Sequence, residues 1–383
     1  MAEEEEIGIL SLEDYEIPED CAETVENTVV GSIRYGFVGL GQAGGRLAAV
    51  AHKLGYCKAI ALNTSPQDLK ALPLPEDQKL LIDIGESGAG KNPERGEEAV
   101  TKRQQDIYNL MKKVFGKHVD HVMLAAGSGG GTGGGAIIPT IMIAKRYLQF
   151  LGYDDVDKRV GAILTLPTNG EAASMRIAMN SISVASKISE LADSNSITPL
   201  IILDNDRVQK LYPRLTMANF WPTVNEGVIG LFDIFNRLSL RQSNYTSFDP
   251  ADYAAVIRSG GHTVMGVTSV KKEQCTDETT ILKVVRDSID KTLLADGFDF
   301  STATSAAGVI VGGTQTLAEV PGLNNVIEYL FSMIANMTSS ATIHRGVYED
   351  TREGLRLYTI ISGMKRPEPR YKKLRQLSQE KYP

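Results

Sequence analysis

The sequence is poor in the residues that mark secreted, metal-binding or membrane-spanning proteins. Its three cysteines, Cys21, Cys57 and Cys275, are widely spaced and odd in number, which argues against a disulfide framework and a metal knuckle. The longest apolar runs, such as 137–144, are far shorter than the ~20 residues of a membrane helix. The first residues are acidic where a secretory signal would be positive. We therefore expect a reducing, cytoplasmic location with no export signal and no direct membrane contact.

Basic residues are missing from one end of the chain and concentrated at the other. Residues 1–33 contain no Lys or Arg, whereas residues 365–383 are rich in both, and the net charge of the chain is −7. Such ends are either solvated tails or contacts for partners. The partner would be either a neighbouring subunit or, for the basic end, an adaptor that is bound to nucleic acid.

The composition is that of an enzyme-sized globular chain, and its glycines are clustered. The 383 residues are 42% hydrophobic and include 36 glycines, which suggests two or three domains. Seven of these glycines fall in the nine positions 127–135, between an apolar strand at 121–126 and an apolar helix from 136, with Pro139 in its first turn. Because a flexible linker would have polar flanks, the pattern favours a phosphate cradle at a helix N-terminus.

A second glycine loop lies in a βαβ pattern near the start of the chain. Strands are predicted at 35–39 and 58–62, with a turn at 39–46 and a helix at 47–54. Gly39, Gly41 and Gly44 satisfy the G-x-G-x-x-G dinucleotide fingerprint, which by itself indicates a nicotinamide oxidoreductase. Asn63 stands where the ribose-binding Asp or Glu of that fingerprint is expected, which weakens this alternative.

A third glycine loop, at 85–91, matches a P-loop as far as Lys91. Asn92 replaces the Ser or Thr that would hold magnesium. Asn92 is better interpreted as the N-cap of a helix at 94–115 with Pro93 at its first position, as Ser65 is before Pro66. Three such loops along one edge of a parallel sheet can enclose a triphosphate, whereas a dehydrogenase needs one.

The loop motifs, taken together, resemble the tubulin/FtsZ superfamily of polymerising GTPases over residues 33–364. They occur in the family's order and are GQAGGR at 41–46, NTSPQDL at 63–69, GAGKNPERG at 88–96, GGGTG at 129–133, LPTNGE at 166–171, DND at 204–206 and FDPADY at 248–253. The resemblance implies an α/β fold in which a Rossmann-like parallel-sheet GTPase domain is joined by a central helix to a smaller α+β C-terminal domain. The expected segments are an acidic extension at 1–32, the GTP-binding domain at 33–222, the central helix and linker at 223–245, the activating loop and C-terminal domain at 246–364, and a basic tail at 365–383.

The resemblance also implies a GTP/GDP site with Mg²⁺ bridging the outer phosphates, although no side chain can be named as a metal ligand. In the implied site, Glu171 resembles a ribose contact and Arg176 is a basic partner nearby. Asn205 and Asn225 resemble residues that read guanine, and Trp221 resembles an aromatic that stacks on guanine. Trp221 as core packing and Asn225 as a helix cap remain alternatives. The expected nucleotide-binding residues are Gly41, Gln42, Ala43, Asn63, Gly88, Ala89, Gly90, Ser128, Gly129, Gly130, Gly131, Thr132, Gly133, Glu171, Arg176, Asn205, Trp221 and Asn225.

Asp249 and Asp252 resemble the family's catalytic carboxylates, which a subunit presents to the nucleotide of its neighbour. The resemblance thus implies that the chain binds itself in a head-to-tail protofilament and that hydrolysis requires polymerisation. Helix capping is the alternative role, because Pro250 suits a helix start. Ser247 departs from the asparagine that often begins this loop, and Ser65 departs from a common aspartate.

The remaining pattern predicts how the two domains are connected. The helix predicted at 223–241 carries an apolar stripe formed by Val224, Val228, Leu231, Phe235 and Leu238. Beyond it we expect a helix at 280–294, a strand at 308–312 and a closing strand pair, 341–348 and 354–362, the second with one covered face. His262 and His344 are expected to be structural.

The short basic tail resembles the plasmid- and phage-encoded members of the family, the TubZ and phage tubulin types, which move or position DNA. The sequence therefore predicts a filament-forming GTPase of a bacterial cell, plasmid- or phage-encoded, that segregates plasmid or phage DNA. An FtsZ-like cell-division or cell-shape protein and an NAD-dependent oxidoreductase are the alternatives.

Overall fold

The structure, a computed structural model, describes residues 31–379 apart from Asp83, Ile84, Glu86, Ser87, Lys291, Leu293 and Ser340. The acidic extension predicted at 1–32 thus lies almost wholly outside the described residues. The strands are β1 (Tyr35–Leu40), β2 (Ala59–Asn63), β3 (Lys79–Leu81), β4 (His121–Gly127), β5 (Val160–Leu166), β6 (Leu200–Asp204), β7 (His262–Val270), β8 (Ser305–Gly313), β9 (Thr342–Asp350) and β10 (Leu355–Met364). The helices are α1 (Gly41–Lys53), α2 (Pro66–Lys70), α3 (Pro93–Lys102), α4 (Gln104–Phe115), α5 (Thr132–Phe150), α6 (Asn169–Ala172), α7 (Met175–Asp193), α8 (Asn205–Leu211), α9 (Met217–Leu238), α10 (Pro250–Ile257), α11 (Glu278–Asp290), α12 (Thr314–Glu319), α13 (Leu323–Thr338) and α14 (Glu368–Gln379).

The N-terminal half is a parallel sheet with helices on both sides, as the βαβ pattern predicts. Its strand order is β3-β2-β1-β4-β5-β6, and β1 pairs in parallel with both β2 and β4. Every residue of β1, β2, β5 and β6 is buried, which is expected for parallel strands covered on both faces. The carboxyl ends of these strands define one edge of the sheet, and the glycine loops follow them.

The C-terminal strands continue the same sheet in the order β7-β10-β8-β9. One registered residue pair, Leu200 with His262, joins β6 to β7. The predicted closing pair is wrong, because β9 and β10 are not neighbours: β8 lies between them, parallel to β9 and antiparallel to β10. The single covered face expected for 354–362 is also wrong, because β10 lies between β7 and β8 and is buried on both faces.

Two helices begin earlier than the glycine content suggests. α1 begins at Gly41 rather than at residue 47, and α5 at Thr132 rather than at 136, so Pro139 lies inside α5. Glycine is needed inside these helices because other backbones approach them closely. A Cβ atom on Gly44 would lie 1.9 Å from the carbonyl oxygen of Ala125, and one on Gly135 would lie 1.8 Å from that of Pro93.

The central helix α9 begins at Met217 rather than at residue 223 and includes Pro222. Its predicted apolar stripe is confirmed, since all five side chains are buried. The helix predicted at 94–115 is divided into α3 and α4 at Arg103, where the helical conformation is interrupted.

The basic C-terminal segment contains a packed helix within its described part, so interpreting 365–383 as a solvated tail is wrong for that part. α14 buries Arg370, Tyr371 and Leu374, whose spacing of one and four residues gives a single inner face. The Tyr371 hydroxyl lies 2.7 Å from Ser189 Oγ on α7. Across the described ranges, no helix combines the length and apolarity needed to cross a membrane.

Candidate functional site

The glycine loops meet at the carboxyl edge of the parallel sheet. A Cβ atom on Gly41 would lie 3.0 Å from the backbone nitrogen of Gly133, and one on Gly131 would lie 2.7 Å from that of Asn92. The hydroxyl oxygens of Thr64 and Thr132 are 2.6 Å apart. The loops after β1, β2 and β4 therefore contact one another or the start of α3, as the sequence predicts.

Asn180 on α7 connects two of these loops. Its side-chain amide donates to the carbonyl oxygen of Lys91 at 2.9 Å and to that of Gly129 at 3.3 Å. Asn180 was not predictable from the sequence, because no motif marks a polar side chain on a helix as the connection between two distant loops. Asn180 fixes the distance between the loop at 88–92 and the loop at 128–133.

The two helices that directly follow β1 and β4 at this edge, α1 and α5, have no side-chain cap. Leu40 and Gly131 occupy the N-cap positions of α1 and α5, and neither supplies a capping hydrogen bond. By contrast, Ser65, Asn92, Thr168 and Asp204 cap α2, α3, α6 and α8. The uncapped first turns leave backbone N–H donors available, and an anion such as a phosphate satisfies them.

The loop at 88–90 has a backbone conformation that favours glycine. Gly88 and Gly90 have φ angles of +93° and +56°, and a Cβ atom on either would meet nothing within 4 Å. Ala89 between them is buried, and a Cβ atom on Gly131 would lie 2.8 Å from its methyl group. The loop at 88–90 therefore packs against the loop at 128–133, and there is open space next to Gly88 and Gly90.

Two predicted contacts carry polar atoms that find no hydrogen-bond partner within the described part of the chain. Asn63 and Asn205 are both buried, and the atoms concerned are Asn63 Nδ2, a donor, and Asn205 Oδ1, an acceptor. Such atoms are costly in a folded protein unless a ligand satisfies them. A purine nucleotide fits this pair, since guanine offers N–H donors to Asn205 and the sugar and phosphates offer acceptors to Asn63.

Ser181 on α7 is a third such case. Its buried hydroxyl has no partner among the described residues, and its oxygen would lie 3.2 Å from a Cβ atom on Gly129. No sequence pattern marks this residue, because a serine inside an amphipathic helix is common. It adds a hydroxyl next to the cradle.

Ser128 does not fit its predicted role. Its backbone N–H and its hydroxyl both donate to the carbonyl oxygen of Thr165, at 3.0 Å and 2.8 Å. The residue is fully buried and joins β4 to β5. We therefore leave Ser128 out of the proposed phosphate contacts, whereas Gly129, Gly130 and Thr132 stay in them.

Glu171 and Arg176, the predicted ribose contacts, are both exposed near this edge. Glu171 takes part in a capping box, since its Oε2 accepts from the backbone N–H of Thr168 at 2.8 Å. One oxygen of its carboxylate is thus engaged in shaping the loop at 166–171. Gln42 is likewise exposed, and its amide nitrogen lies 3.5 Å from Asp68 Oδ1.

Trp221 and Asn225 lie on the first turns of α9. Trp221 is half-buried, and the guanidinium carbon of Arg46 lies 5.6 Å from the centre of its ring. Arg46 belongs to α1, so the indole is near the helix that begins at the first glycine loop. Asn225 is buried, and α9 is capped by Thr216, so Asn225 is not the N-cap.

Arg370 on the C-terminal helix α14 contacts the loop after β5 and the residue before Asn205. Arg370 donates to the carbonyl oxygen of Pro167 at 2.8 Å and to Asn169 Oδ1 at 3.2 Å, and its guanidinium also contacts Asp204. Burial raises the pKa of the Asp204 carboxyl, and the charge of Arg370 opposes this shift. Arg370 therefore holds together the loop after β5 and the cap of α8.

The two predicted catalytic carboxylates lie far from the glycine loops of their own chain. Asp249 caps α10 and Asp252 is its third helical residue, each accepting from the other's backbone N–H. The hydroxyl of Tyr253 on α10 is 3.1 Å from the hydroxyl of Tyr35, which is the first residue of β1. Gly41 of the first glycine loop comes directly after the last residue of β1. Six strand residues, about 20 Å, separate these points. The carboxylates thus lie towards the opposite edge of the sheet.

Comparison with known proteins decides the family. Residues 36–213 match a profile described as Tubulin/FtsZ family, GTPase domain, and residues 235–375 match one described as Tubulin/FtsZ-like protein TubZ-like, C-terminal domain. The chain is 30% identical over 346 residues to the cell division protein FtsZ 2 of Halobacterium salinarum, covering 87% of this chain and 77% of that protein. This chain belongs to the tubulin/FtsZ family.

A second relative and a solved structure are consistent with this assignment. The chain is 26% identical over 288 residues to the tubulin-like protein TubZ of Bacillus cereus, covering 69% of this chain and 62% of the relative's length. A GTPγS-form protofilament structure of TubZ from Bacillus thuringiensis serovar israelensis has the same fold, with a TM-score of 0.78, 18% identity, and coverage of 97% of this chain and 96% of that one. The expected α/β fold and the family resemblance are confirmed, and family membership leaves the nicotinamide alternative without support.

Proposed function

We propose that this chain binds GTP at the glycine-lined edge and hydrolyses it to GDP and phosphate when copies assemble head to tail into filaments. One observation carries the proposal: the phosphate cradle and the pair Asp249 and Asp252 lie towards opposite edges of one sheet. A single chain cannot bring them together, whereas stacking the carboxylate side of one copy on the cradle of the next does. Family membership supports this arrangement, and the protofilament form of a TubZ relative is consistent with it.

Each group has a chemical task in this scheme. Backbone N–H groups at the starts of α1 and α5 hold the phosphates, and Asn205 Oδ1 accepts from guanine. Asp249 and Asp252 of the adjoining copy polarise and orient the attacking water, which suffices because phosphoryl transfer depends mainly on positioning and electrostatics.

Mg²⁺ completes the proposed site by neutralising charge on the outer phosphates. No cluster of His, Cys, Asp or Glu in the described ranges is arranged to hold a metal ion. A cation bound chiefly through the phosphates and water fits that arrangement, because magnesium at nucleotide sites keeps several waters and few protein ligands.

Assembly and hydrolysis are tested together with the purified protein. GTP should produce filaments visible by electron microscopy, and phosphate release per subunit should rise with protein concentration. Asp252→Ala should bind GTP and form filaments that persist, because the water is no longer activated. Hydrolysis by Asp252→Ala at the wild-type rate would refute the shared site.

We propose that the filaments move or position plasmid or phage DNA in the cytoplasm of a bacterial cell, through an adaptor that binds DNA and contacts the basic C-terminal segment. The TubZ-like C-terminal profile supports this role. An FtsZ-like division role is the second candidate, because the FtsZ 2 relative aligns over 87% of the chain. A fluorescent fusion separates them: dynamic filaments along the cell that co-localise with the plasmid support the first, and a ring at mid-cell supports the second.

A further inference from the structure

Asp252 has a histidine partner. His344 Nδ1 lies 2.6 Å from Asp252 Oδ1, although the two residues are 92 positions apart in sequence. A carboxylate oxygen only accepts, so Nδ1 carries the hydrogen and donates it. His344 was expected to be a structural histidine, and its position in a strand gives no sign of this contact.

The histidine completes the set of bonds that orient the Asp252 carboxylate. Oδ2 accepts from the backbone N–H of Asp249 at 3.1 Å, and Oδ1 accepts from His344. With one donor on each oxygen, rotation of the carboxylate breaks a hydrogen bond. The capping box alone does not require the second donor, since it is complete with Oδ2.

The loop before α10 is hydrogen-bonded to β9, the strand that carries His344. The backbone N–H of Val347 donates to the carbonyl oxygen of Thr246 at 2.8 Å, and that of Phe248 donates to the hydroxyl of Tyr348 at the same distance. A Cβ atom on Gly346 would lie 2.8 Å from Phe248 Cβ. The loop before α10 is therefore fixed to the strand that carries His344.

The pair is also accessible. The side chain of Asp252 is 29% exposed and that of His344 is 15% exposed, so part of the carboxylate stays open to a second molecule while the more buried imidazole donates to it.

We propose that His344 is a positioning residue for hydrolysis: its Nδ1–H holds the Asp252 carboxylate in the orientation that acts on the nucleotide of the adjoining copy. This inference rests on the proposed function, in which Asp252 activates the water. His344 itself does not touch the nucleotide.

Two amide substitutions test the position of the donor. His344→Asn places an N–H donor near the position of Nδ1, whereas His344→Gln places it near Nε2. We expect kcat per assembled subunit to stay within about threefold of wild type for His344→Asn and to fall about 10- to 100-fold for His344→Gln and His344→Ala, because small misplacements of a catalytic group cost that much. The dissociation constant for GTP should be unchanged in all three.

Thr342→Ala, an exposed position two residues earlier on the same face of β9, is the matched control and should behave as wild type. In a double-mutant cycle, His344→Gln should slow Asp252→Ala no further, because it acts through that carboxylate. Wild-type kcat for His344→Gln, or equal losses for His344→Asn and His344→Gln, overturns the inference. Wild-type hydrolysis by Asp252→Ala is a different outcome, which overturns the shared site itself.

Discussion

Arg370 on the last helix and Asp204 at the end of β6 form an ion pair in which Nε and Oδ2 are 2.8 Å apart. Both side chains are almost fully buried, with 5% and 3% exposed. The pair joins the C-terminal helix to the strand whose next residue, Asn205, is proposed to read guanine. The C-terminal segment is therefore part of the support of the site.

Arg370→Met should destabilise the protein by about 3–5 kcal/mol, because it leaves the Asp204 carboxylate buried without its cation. Urea unfolding measures the change. Lys372→Ala, an exposed position on the same helix, is the control and should have little effect. Adding Asp204→Asn to Arg370→Met should recover part of the loss, since asparagine still caps α8 without a charge. Equal stability of Arg370→Met and Lys372→Ala would contradict the structure here.

Gly44→Ala should lower stability by at least about 1–3 kcal/mol, although alanine is normally the better helix residue by about 1 kcal/mol. The reason is the carbonyl oxygen of Ala125, which would lie 1.9 Å from the added Cβ. Gly130→Ala is the matched control for unfolding, since a Cβ there meets nothing within 4 Å. If both variants unfold at the same denaturant concentration, the backbones of α1 and β4 are not as close at Gly44 as the structure shows.

Asn205→Ala should weaken GTP binding about three- to tenfold and leave the weaker binding of ATP unchanged, because one hydrogen bond to guanine is lost. Titration of a fluorescent nucleotide analogue with competing GTP and ATP measures both affinities. Asn109→Ala, at an exposed asparagine on α4, controls for the substitution itself. A parallel loss of GTP and ATP affinity would place Asn205 away from the base.

Stability should fall as the pH drops below about 6.5, because two buried histidines are neutral in the folded protein. Burial lowers the pKa of His121 to about 3 and that of His262 to about 4. The unfolded chain binds these protons first, so each histidine removes up to about 1.4 kcal/mol per pH unit until its folded pKa is reached. Unfolding curves between about pH 7 and 5 measure the slope. His121→Leu should reduce that slope, and an unchanged slope would mean that His121 is already protonated in the folded state.

The glycine motifs made the fold class and much of the candidate site predictable, because each motif joins local residues to a local task. Ser65 and Asn92 do cap the helices that follow them, as predicted. Glycine itself caused the errors in helix boundaries. The sequence pattern places Gly44 and Gly135 in loops, whereas they lie in helices where another backbone leaves no room for a side chain.

Contacts between distant residues were not predictable. Arg370 and Asp204 are 166 positions apart and lie in segments with no shared motif. The placement of β8 between β9 and β10 also follows from tertiary packing, since sequence alone favours pairing of strands joined by a short loop. The pairing of His344 with Asp252 has the same origin.

The ten-stranded sheet is unevenly paired where β6 meets β7. Within the N-terminal and C-terminal groups of strands, most neighbours share five or more registered pairs, whereas Leu200 and His262 are the one registered pair between β6 and β7. Other contacts join the two groups beside that pair: the backbone N–H of Ala295 donates to the carbonyl oxygen of Ile202 at 2.8 Å, and the Ser189 hydroxyl lies 3.0 Å from His262 Nε2. The two groups are thus held together largely by loops and side chains, so single side-chain substitutions at this line can loosen the junction while the β-ladders on both sides remain complete.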